Sequence, residues 1–254
     1  MKKKNNKNIS LDKPLISIVT VVFNRKDDIE KTILSVISQS YSNIEFIIID
    51  GGSNDGTLEV IKKYKDRIDH FISERDSGIY DAMNKGINLA SGTWINFMNA
   101  GDRFSNIDII SDLPFSNFSS SPLIYGNRIF NKSVIYPNSY EILQYGEIMA
   151  CHQAMFFNIS KVFRNTIFYI TKYKIYGDYE LVNRLYLKYK NLKYVDRNIA
   201  ISQGSGVSSV KSWQKRKDKY SILYKSYGLP GIIKGTIFRF LKYNKFFKSK
   251  FLIK

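Results

Sequence analysis

In the first hundred residues the apolar positions switch repeatedly between a strand pattern and a helix pattern, which restricts the fold more than any other feature of the chain. Ile16 to Phe23 is a β-branched run that turns at Asn24-Arg25. Ile29, Ile33, Val36 and Ile37 then recur at i, i+4, i+7 and i+8, one face of a helix. Glu45 to Asp50 is a second, isoleucine-rich strand that breaks at Gly51-Gly52-Ser53-Asn54-Asp55-Gly56, and Leu58, Val60 and Ile61 begin another helix. Asp69 to Ser73, the helical Tyr80 to Ala90 and the strand Thr93 to Met98 continue the series. Strands and helices joined by short links imply parallel strands with right-handed crossovers, and so an α/β fold.

After Asp102 the pattern loosens. Leu123 to Phe130 and Ser133 to Tyr136 pair as a hairpin around Asn131-Lys132, Ala154 to Asn158 is a short strand, and Tyr179 to Tyr189 is helical with Leu181, Leu185 and Tyr189 at spacing four. From about Ser209 two helices are expected, separated by the breaker Gly228-Leu229-Pro230-Gly231. The expected organisation is a flexible basic lead over 1–13, one α/β domain over 14–208, and a basic, aromatic helical extension over 209–254.

Composition narrows the function classes. With 254 residues and 44% hydrophobic content the chain fills a sizeable core. Its lone cysteine, Cys151, excludes an internal disulfide and fits a reducing compartment. The lead Met-Lys-Lys-Lys-Asn-Asn-Lys-Asn has no apolar run behind it and reads as a flexible start, not a signal peptide, which predicts a cytoplasmic protein. No apolar run approaches the roughly 18 to 20 residues that span a bilayer. A net charge of +17 calls for an anionic partner: nucleic acid, an acidic membrane surface or a diphosphate-bearing substrate. From Lys211 to Lys254, thirteen Lys or Arg face one acid, Asp218, and are interleaved with Trp213, Phe238, Phe240, Tyr243, Phe246, Phe247 and Phe251. That mixture suits an amphipathic helix in a headgroup layer, and equally a basic helix packed on the domain by its aromatic face. No RNA- or DNA-binding motif is visible, which disfavours nucleic acid.

The segment from Asp76 to Asp102 carries the clearest chemistry. Trp94, Ile95, Phe97 and Met98 form an inner strand, and Asn99-Ala100-Gly101-Asp102 cannot continue it, because Gly and Asp favour turns. A carboxylate therefore falls at the carboxyl end of a buried strand, where open α/β sheets bind ligands.

Five segments together resemble a known family. They are Ile16-Ser17-Ile18-Val19-Thr20-Val21-Val22-Phe23-Asn24, Ile49-Asp50-Gly51-Gly52-Ser53-Asn54-Asp55-Gly56-Thr57, Asp76 to Gly86, Asn99 to Asp102, and Gly177-Asp178-Tyr179-Glu180-Leu181. In order and spacing they resemble the family 2 inverting glycosyltransferases, across residues 14 to 207. The resemblance implies a GT-A fold, a Rossmann-like, mixed but mainly parallel sheet flanked by helices. The form of the Asp76 segment, with Cys151-His152-Gln153, is similar to bacterial enzymes of lipopolysaccharide, capsule or exopolysaccharide synthesis.

By that resemblance Val21, Phe23 and Asn24 line the base and ribose of a nucleotide diphosphate sugar, and Asp50 accepts from a base N–H or a ribose hydroxyl. Gly51, Ser53, Ala100 and Gly101 belong to the same donor site. Asp76 and Asn99 contact the ribose or donor sugar, and Lys85 offers a cation near the phosphates. Asp102 is the implied ligand of a divalent cation, Mn²⁺ or Mg²⁺. Asp178 is the implied base and Glu180 the second choice, while His152 and Gln153 shape the acceptor or donor-sugar pocket. The acceptor is a glycan hydroxyl, lipid-linked or on an oligosaccharide, met at the inner face of the cytoplasmic membrane. Ser205, Gly206 and Ser208 resemble a loop that closes over the diphosphate.

This chain departs from the family in three places. Asn99 and Gly101 stand where relatives often carry acids, Gly51 replaces a frequent second acid, and no histidine follows Ser202. Metal independence, with Arg75, Lys85 or Arg103 sharing the diphosphate charge, therefore stays open, as does a non-catalytic nucleotide-sugar-binding or scaffold role. Asp178 is alternatively a helix cap, His152 a buried structural histidine, and His70 a structural residue on an edge strand.

Overall fold

The first strand, β1 (Ile16–Val22), is buried along its whole length, so both of its faces must be covered. In the computed structural model, which describes residues 13–160, 163–203 and 213–241, helices cover both. Nearly all of the expected lead, the Ser205 to Ser208 loop and the aromatic residues from Tyr243 onward lie outside the described residues.

The remaining elements follow in chain order. Helix α1 (Lys26–Ile37), strand β2 (Ile44–Asp50), α2 (Thr57–Lys62), β3 (His70–Ser73), α3 (Ile79–Leu89) and β4 (Trp94–Phe97) complete the regular half. The second half holds β5 (Arg103–Phe104), β6 (Leu123–Phe130), β7 (Ser133–Ile135), β8 (Met155–Asn158), α4 (Gly177–Tyr189), β9 (Leu192–Ile201) and α5 (Trp213–Leu241).

One sheet runs in the order β3-β2-β1-β4-β8-β6-β9-β5, with β7 paired to β6. β1 lies between β2 and β4 and is parallel to both, Ile16 opposite Ile44 and Trp94. The chain first builds outward to β3 and then returns to the other side of β1, which makes β1/β4 a topological switch point and places a ligand crevice at their carboxyl ends. Beyond β4 the order is mixed: β8 is antiparallel to β4 and β6, and β9 is parallel to β6.

Alternation along β2 separates the two cores. Phe46 and Ile48 pack with Ile29, Ile33 and Val36 of α1, whereas Ile47 and Ile49 pack with Met83 and Ile87 of α3. The expected hairpin is present: Asn131 and Lys132 both take positive φ, 49° and 64°, as a two-residue turn between right-twisted strands requires. β3 is the sheet edge, where His70 Nε2 lies 3.5 Å from Glu45, in keeping with a structural histidine. Strand β9 was not expected, because Lys193, Asp196, Arg197 and Asn198 interrupt its apolar pattern.

The expected break in the C-terminal helical segment is a kink at Gly228, which divides α5. One face of α5 is buried: Ile222, Leu223, Gly235 and Phe238 face the domain, and Phe238 stacks on Tyr145 with ring centroids 5.0 Å apart. The opposite face exposes Trp213, Leu229, Ile233, Ile237 and Phe240. No helix among the described residues is long and apolar enough to cross a membrane.

Candidate active site

Thr32 on α1 builds the floor of the crevice. Its hydroxyl donates to the Asp102 carbonyl (2.7 Å) and accepts from the Gly101 amide (3.0 Å), so the turn after β4 is held against the helix. This turn projects Asp102 into a cavity of about 880 Å³. Val21, Phe23, Asp76, Asn99, Ala100, Gly101, Asp102, His152, Gln153 and Asp178 all line it. Ten of the sequence-nominated residues, drawn from five separate segments, thus share one wall system.

Two consecutive side chains join the two carboxylates. Gln153 Nε2 donates to Asp102 Oδ2, and His152 Nδ1 lies 3.1 Å from Asp178 Oδ2. The other ring nitrogen, His152 Nε2, lies 2.9 Å from Asn99 Nδ2. An amide NH₂ can only donate, so Nε2 accepts and Nδ1 carries the proton given to Asp178. Burial opposes charge on His152, but the charge and hydrogen bond of Asp178, with the charge of Asp102, outweigh it and raise the imidazole above its ordinary value. Burial raises Asp102 as well, against the Gln153 hydrogen bond and the nearby His152 and Arg128.

Asp178 lies in the first turn of α4, where a carboxylate is favoured by the helix N-terminus. It is not a plain cap. Tyr176 occupies the N-cap position without a side-chain cap, and Asp178 Oδ1 is buried with no hydrogen-bond partner among the described residues. The hydroxyl of Tyr169 is also buried there, and burial followed by the charge of Asp178 holds it well above its ordinary range, so it stays protonated.

The remaining nominated residues stand off the cavity. Asn24 Oδ1 accepts from the Asn54 amide and its own amide donates to Ser53 Oγ (2.8 Å), so Asn24 and Ser53 lock two loops together. Asp50 Oδ2 gathers the amides of Gly52 and Ser53 and the Ser73 hydroxyl, which makes it the organiser of the loop after β2. Gly51 lies under Asp76: a Cβ there would come 2.5 Å from Asp76 Oδ2 and 3.4 Å from the Phe23 ring. The carboxylate of Asp76 therefore fills the place a side chain at 51 would take. Lys85, expected near the phosphates, is not among the residues that line the cavity. Its Nζ contacts Glu74 (2.8 Å), Asp81 (4.0 Å) and the Arg75 carbonyl, and the Glu74 hydrogen bond raises its ammonium above the ordinary value. Glu180 is likewise spent, buried in a two-pronged contact with Arg184 at 3.0 Å, one turn along α4, which removes it as an alternative base.

Several lining residues were not nominated from the sequence. Arg128 on β6 reaches Ser202 (3.5 Å) and lies close enough to lower Asp102 by its charge. Phe130, Ile135, Tyr136 and Pro137 of the hairpin, with Ile148, give the other side of the cavity an apolar wall. Cys151 is inert, its thiol pushed up to about 11 by burial. Among the described residues no cluster of three or more His, Cys, Asp or Glu could hold a metal ion. Asp102 fits a cation as a single hard-oxygen ligand, with the other ligands drawn from diphosphate and water.

Residues 17–109 match the family model "Glycosyl transferase family 2". A glycosyltransferase of Mycobacterium tuberculosis is 34% identical over 158 residues, 59% of this chain and 60% of the relative, so the match spans less than two thirds of that protein's length. A PGL/p-HBAD biosynthesis glycosyltransferase of Mycobacterium bovis is 27% identical over 175 residues, 66% of this chain and 68% of its own. Staphylococcus aureus TarS, solved with UDP-GlcNAc, superposes with a TM-score of 0.69 at 14% identity, covering 91% of this chain and 74% of that structure. A mannosyltransferase from Pyrobaculum calidifontis, solved with GDP-Man and Mn²⁺, gives 0.59 at 10% identity over 89% of this chain and 74% of its own. The sheet order, the cavity at its switch point and these superpositions agree on a GT-A-like α/β fold, and residues 17–109 are similar to the family 2 glycosyltransferases.

Proposed function

We propose that this chain is an inverting glycosyltransferase that moves a sugar from a nucleotide diphosphate sugar to an acceptor hydroxyl. The observation that carries the reading is the His152-Gln153 pair, which ties Asp178 to Asp102 across one cavity. Phe23 and Asp76 frame the nucleoside end. The acceptor oxygen attacks the anomeric carbon from the face opposite the diphosphate, and its proton passes to the carboxylate of Asp178, whose side chain is about a quarter exposed in the cavity wall. His152 holds Oδ2 and keeps the carboxylate turned into the cavity. The bond from anomeric carbon to diphosphate oxygen breaks with its electron pair on the diphosphate. A divalent cation bound at Asp102 would act as a Lewis acid on those oxygens, and Arg128 adds fixed positive charge beside it.

The apolar hairpin wall suits an acceptor with an apolar or stacking portion, such as a lipid-linked glycan. The outer stripe of Leu229, Ile233, Ile237 and Phe240, spaced as one helical face and flanked by Lys225, Lys234 and Arg239, suits peripheral binding to an anionic membrane. Cell-surface polysaccharide synthesis at the inner membrane face is the setting both features support. A screen of UDP-, GDP- and dTDP-linked sugars, with and without Mn²⁺, tests the reading by thermal shift and slow hydrolysis. Stabilisation and turnover with at least one donor is the expected result, whereas stabilisation without turnover favours a non-catalytic binding role.

A further inference from the structure

Helix α5 also holds the segment that leads into Asp178. Asp218 is only 2% exposed, and its Oδ2 accepts from the backbone amide of Ile175 at 3.0 Å. Its Oδ1 accepts from Gln214, one turn earlier on the same helix, at 2.6 Å. On the other side of the same peptide segment, Tyr80 of α3 donates its hydroxyl to the Ile175 carbonyl at 2.8 Å. Three residues after Ile175 comes Asp178, whose amide lies 3.4 Å from the Tyr80 hydroxyl. Between them Gly177 is pressed so closely on the Tyr80 ring that a Cβ would lie 2.6 Å from it. The strap that carries Asp178 into the cavity is therefore pinned by both α3 and α5. The neighbouring Lys219 adds a second tie, to the cavity-lining Glu147 at 2.9 Å.

We propose that Asp218 is a positioning residue for Asp178: by fixing the Ile175 amide it sets the entry of α4 and so the direction of the base carboxylate. This rests on Asp178 being the base. It makes α5 part of the catalytic apparatus as well as the element that presents the exposed apolar stripe. A buried carboxyl is a costly way to join two helices, since an apolar side chain of the same shape packs there as well or better. What the carboxyl adds is a directed acceptor for one particular amide, and misplacement of a reacting group by about 1 Å can cost 10²-fold in rate.

The test compares Asp218→Leu with Asp218→Asn in the full chain. The two side chains are close in shape, but only Asn keeps an oxygen for the Ile175 amide. Kinetics use whichever UDP-, GDP- or dTDP-linked sugar the wild-type protein hydrolyses fastest, beside thermal melts and titration with the matching nucleoside diphosphate. Asp218→Leu is expected to lower kcat by about 10- to 100-fold, with KM and nucleotide affinity within about twofold, while Asp218→Asn recovers most of the rate. Adding Asp218→Leu to Asp178→Asn is expected to cost little more, because both act through one carboxylate. Wild-type kcat in Asp218→Leu, or loss of cooperative melting in that variant, overturns the proposal. Full activity in Asp178→Asn instead overturns the base assignment, so the two failures are distinguishable.

Discussion

His152 Nδ1 lies 3.1 Å from Asp178 Oδ2, while the opposite nitrogen of the same ring lies 2.9 Å from Asn99 Nδ2, so one imidazole spans Asp178 and the turn after β4. The neutral tautomer satisfies both contacts. A second proton would place an N–H against the Asn99 amide and force it to turn over.

That geometry sets the pH dependence. His152 is raised above its ordinary 6.5 by Asp178 and Asp102 despite its burial. Its ion-pair contribution to stability is therefore complete below the ordinary value and is lost as pH rises through the raised one. The melting-temperature advantage of wild type over His152→Gln is expected to shrink as pH climbs above the ordinary 6.5. Over the same range kcat is expected to rise as the imidazolium gives way to the tautomer that leaves Asn99 in place. A profile equally steep in His152→Gln would assign the limb to another group.

Asp178→Asn keeps the shape and the His152 contact but removes the proton acceptor. Its kcat is expected to fall by about 10²- to 10⁴-fold, with nucleotide affinity retained, as read by single-turnover kinetics and calorimetric titration.

Arg128→Ala is expected to weaken nucleoside diphosphate binding and turnover by at least about tenfold, in line with the loss of one fixed charge facing a developing anion. Its Mn²⁺ requirement should become steeper, because the cation then meets the diphosphate charge with less help. An unaltered Mn²⁺ titration in Arg128→Ala would place the diphosphate elsewhere in the cavity.

Gly51→Asp restores an acid common in relatives, yet here it meets the Asp76 carboxylate. The single variant is expected to lose donor affinity by about tenfold through overpacking and like charge. The double variant Gly51→Asp/Asp76→Ala should regain part of it, because the acid then reaches the same space from the other strand end. If the single variant binds as wild type does, Asp76 is not the residue framing the nucleoside.

Replacing Leu229, Ile237 and Phe240 together by Ser is expected to reduce binding to anionic vesicles in a flotation assay while leaving hydrolysis and melting temperature nearly unchanged. These side chains are exposed, Phe240 by 88%. Deleting the second half of α5 is a poorer test, since Phe238 and Gly235 pack into the domain and their loss uncovers core.

Most of the fold was legible because burial leaves a periodic trace. β1, α1, β2 and α3 are covered on a defined face or on both, so their apolar spacing declares them. β9 left no such trace: Asp196 and Arg197 are exposed, and its pairing with β6 depends on residues about 70 positions away. The positions of Asp102 and Asp178 could be inferred from motif order, but the partners of Lys85 and Glu180 could not be weighed in the same way. Arg184 stands one helical turn from Glu180, whereas Glu74 lies in the loop after β3 and meets Lys85 only once that loop packs beside α3, and each neutralises the residue nominated. Arg128 had no readable signal, because its approach to Ser202 exists only once β6 and β9 lie side by side.

The most direct measurement is turnover of bound nucleotide sugar by the wild-type chain and by Asp178→Asn at matched donor occupancy, with the released nucleoside diphosphate quantified and the anomeric configuration of the product read by NMR. Wild type is expected to release nucleoside diphosphate and form an inverted product, while Asp178→Asn binds the donor and leaves it intact. Equal turnover by the two proteins, or a retained anomeric configuration, would contradict the assignment of Asp178 as the base of an inverting transfer.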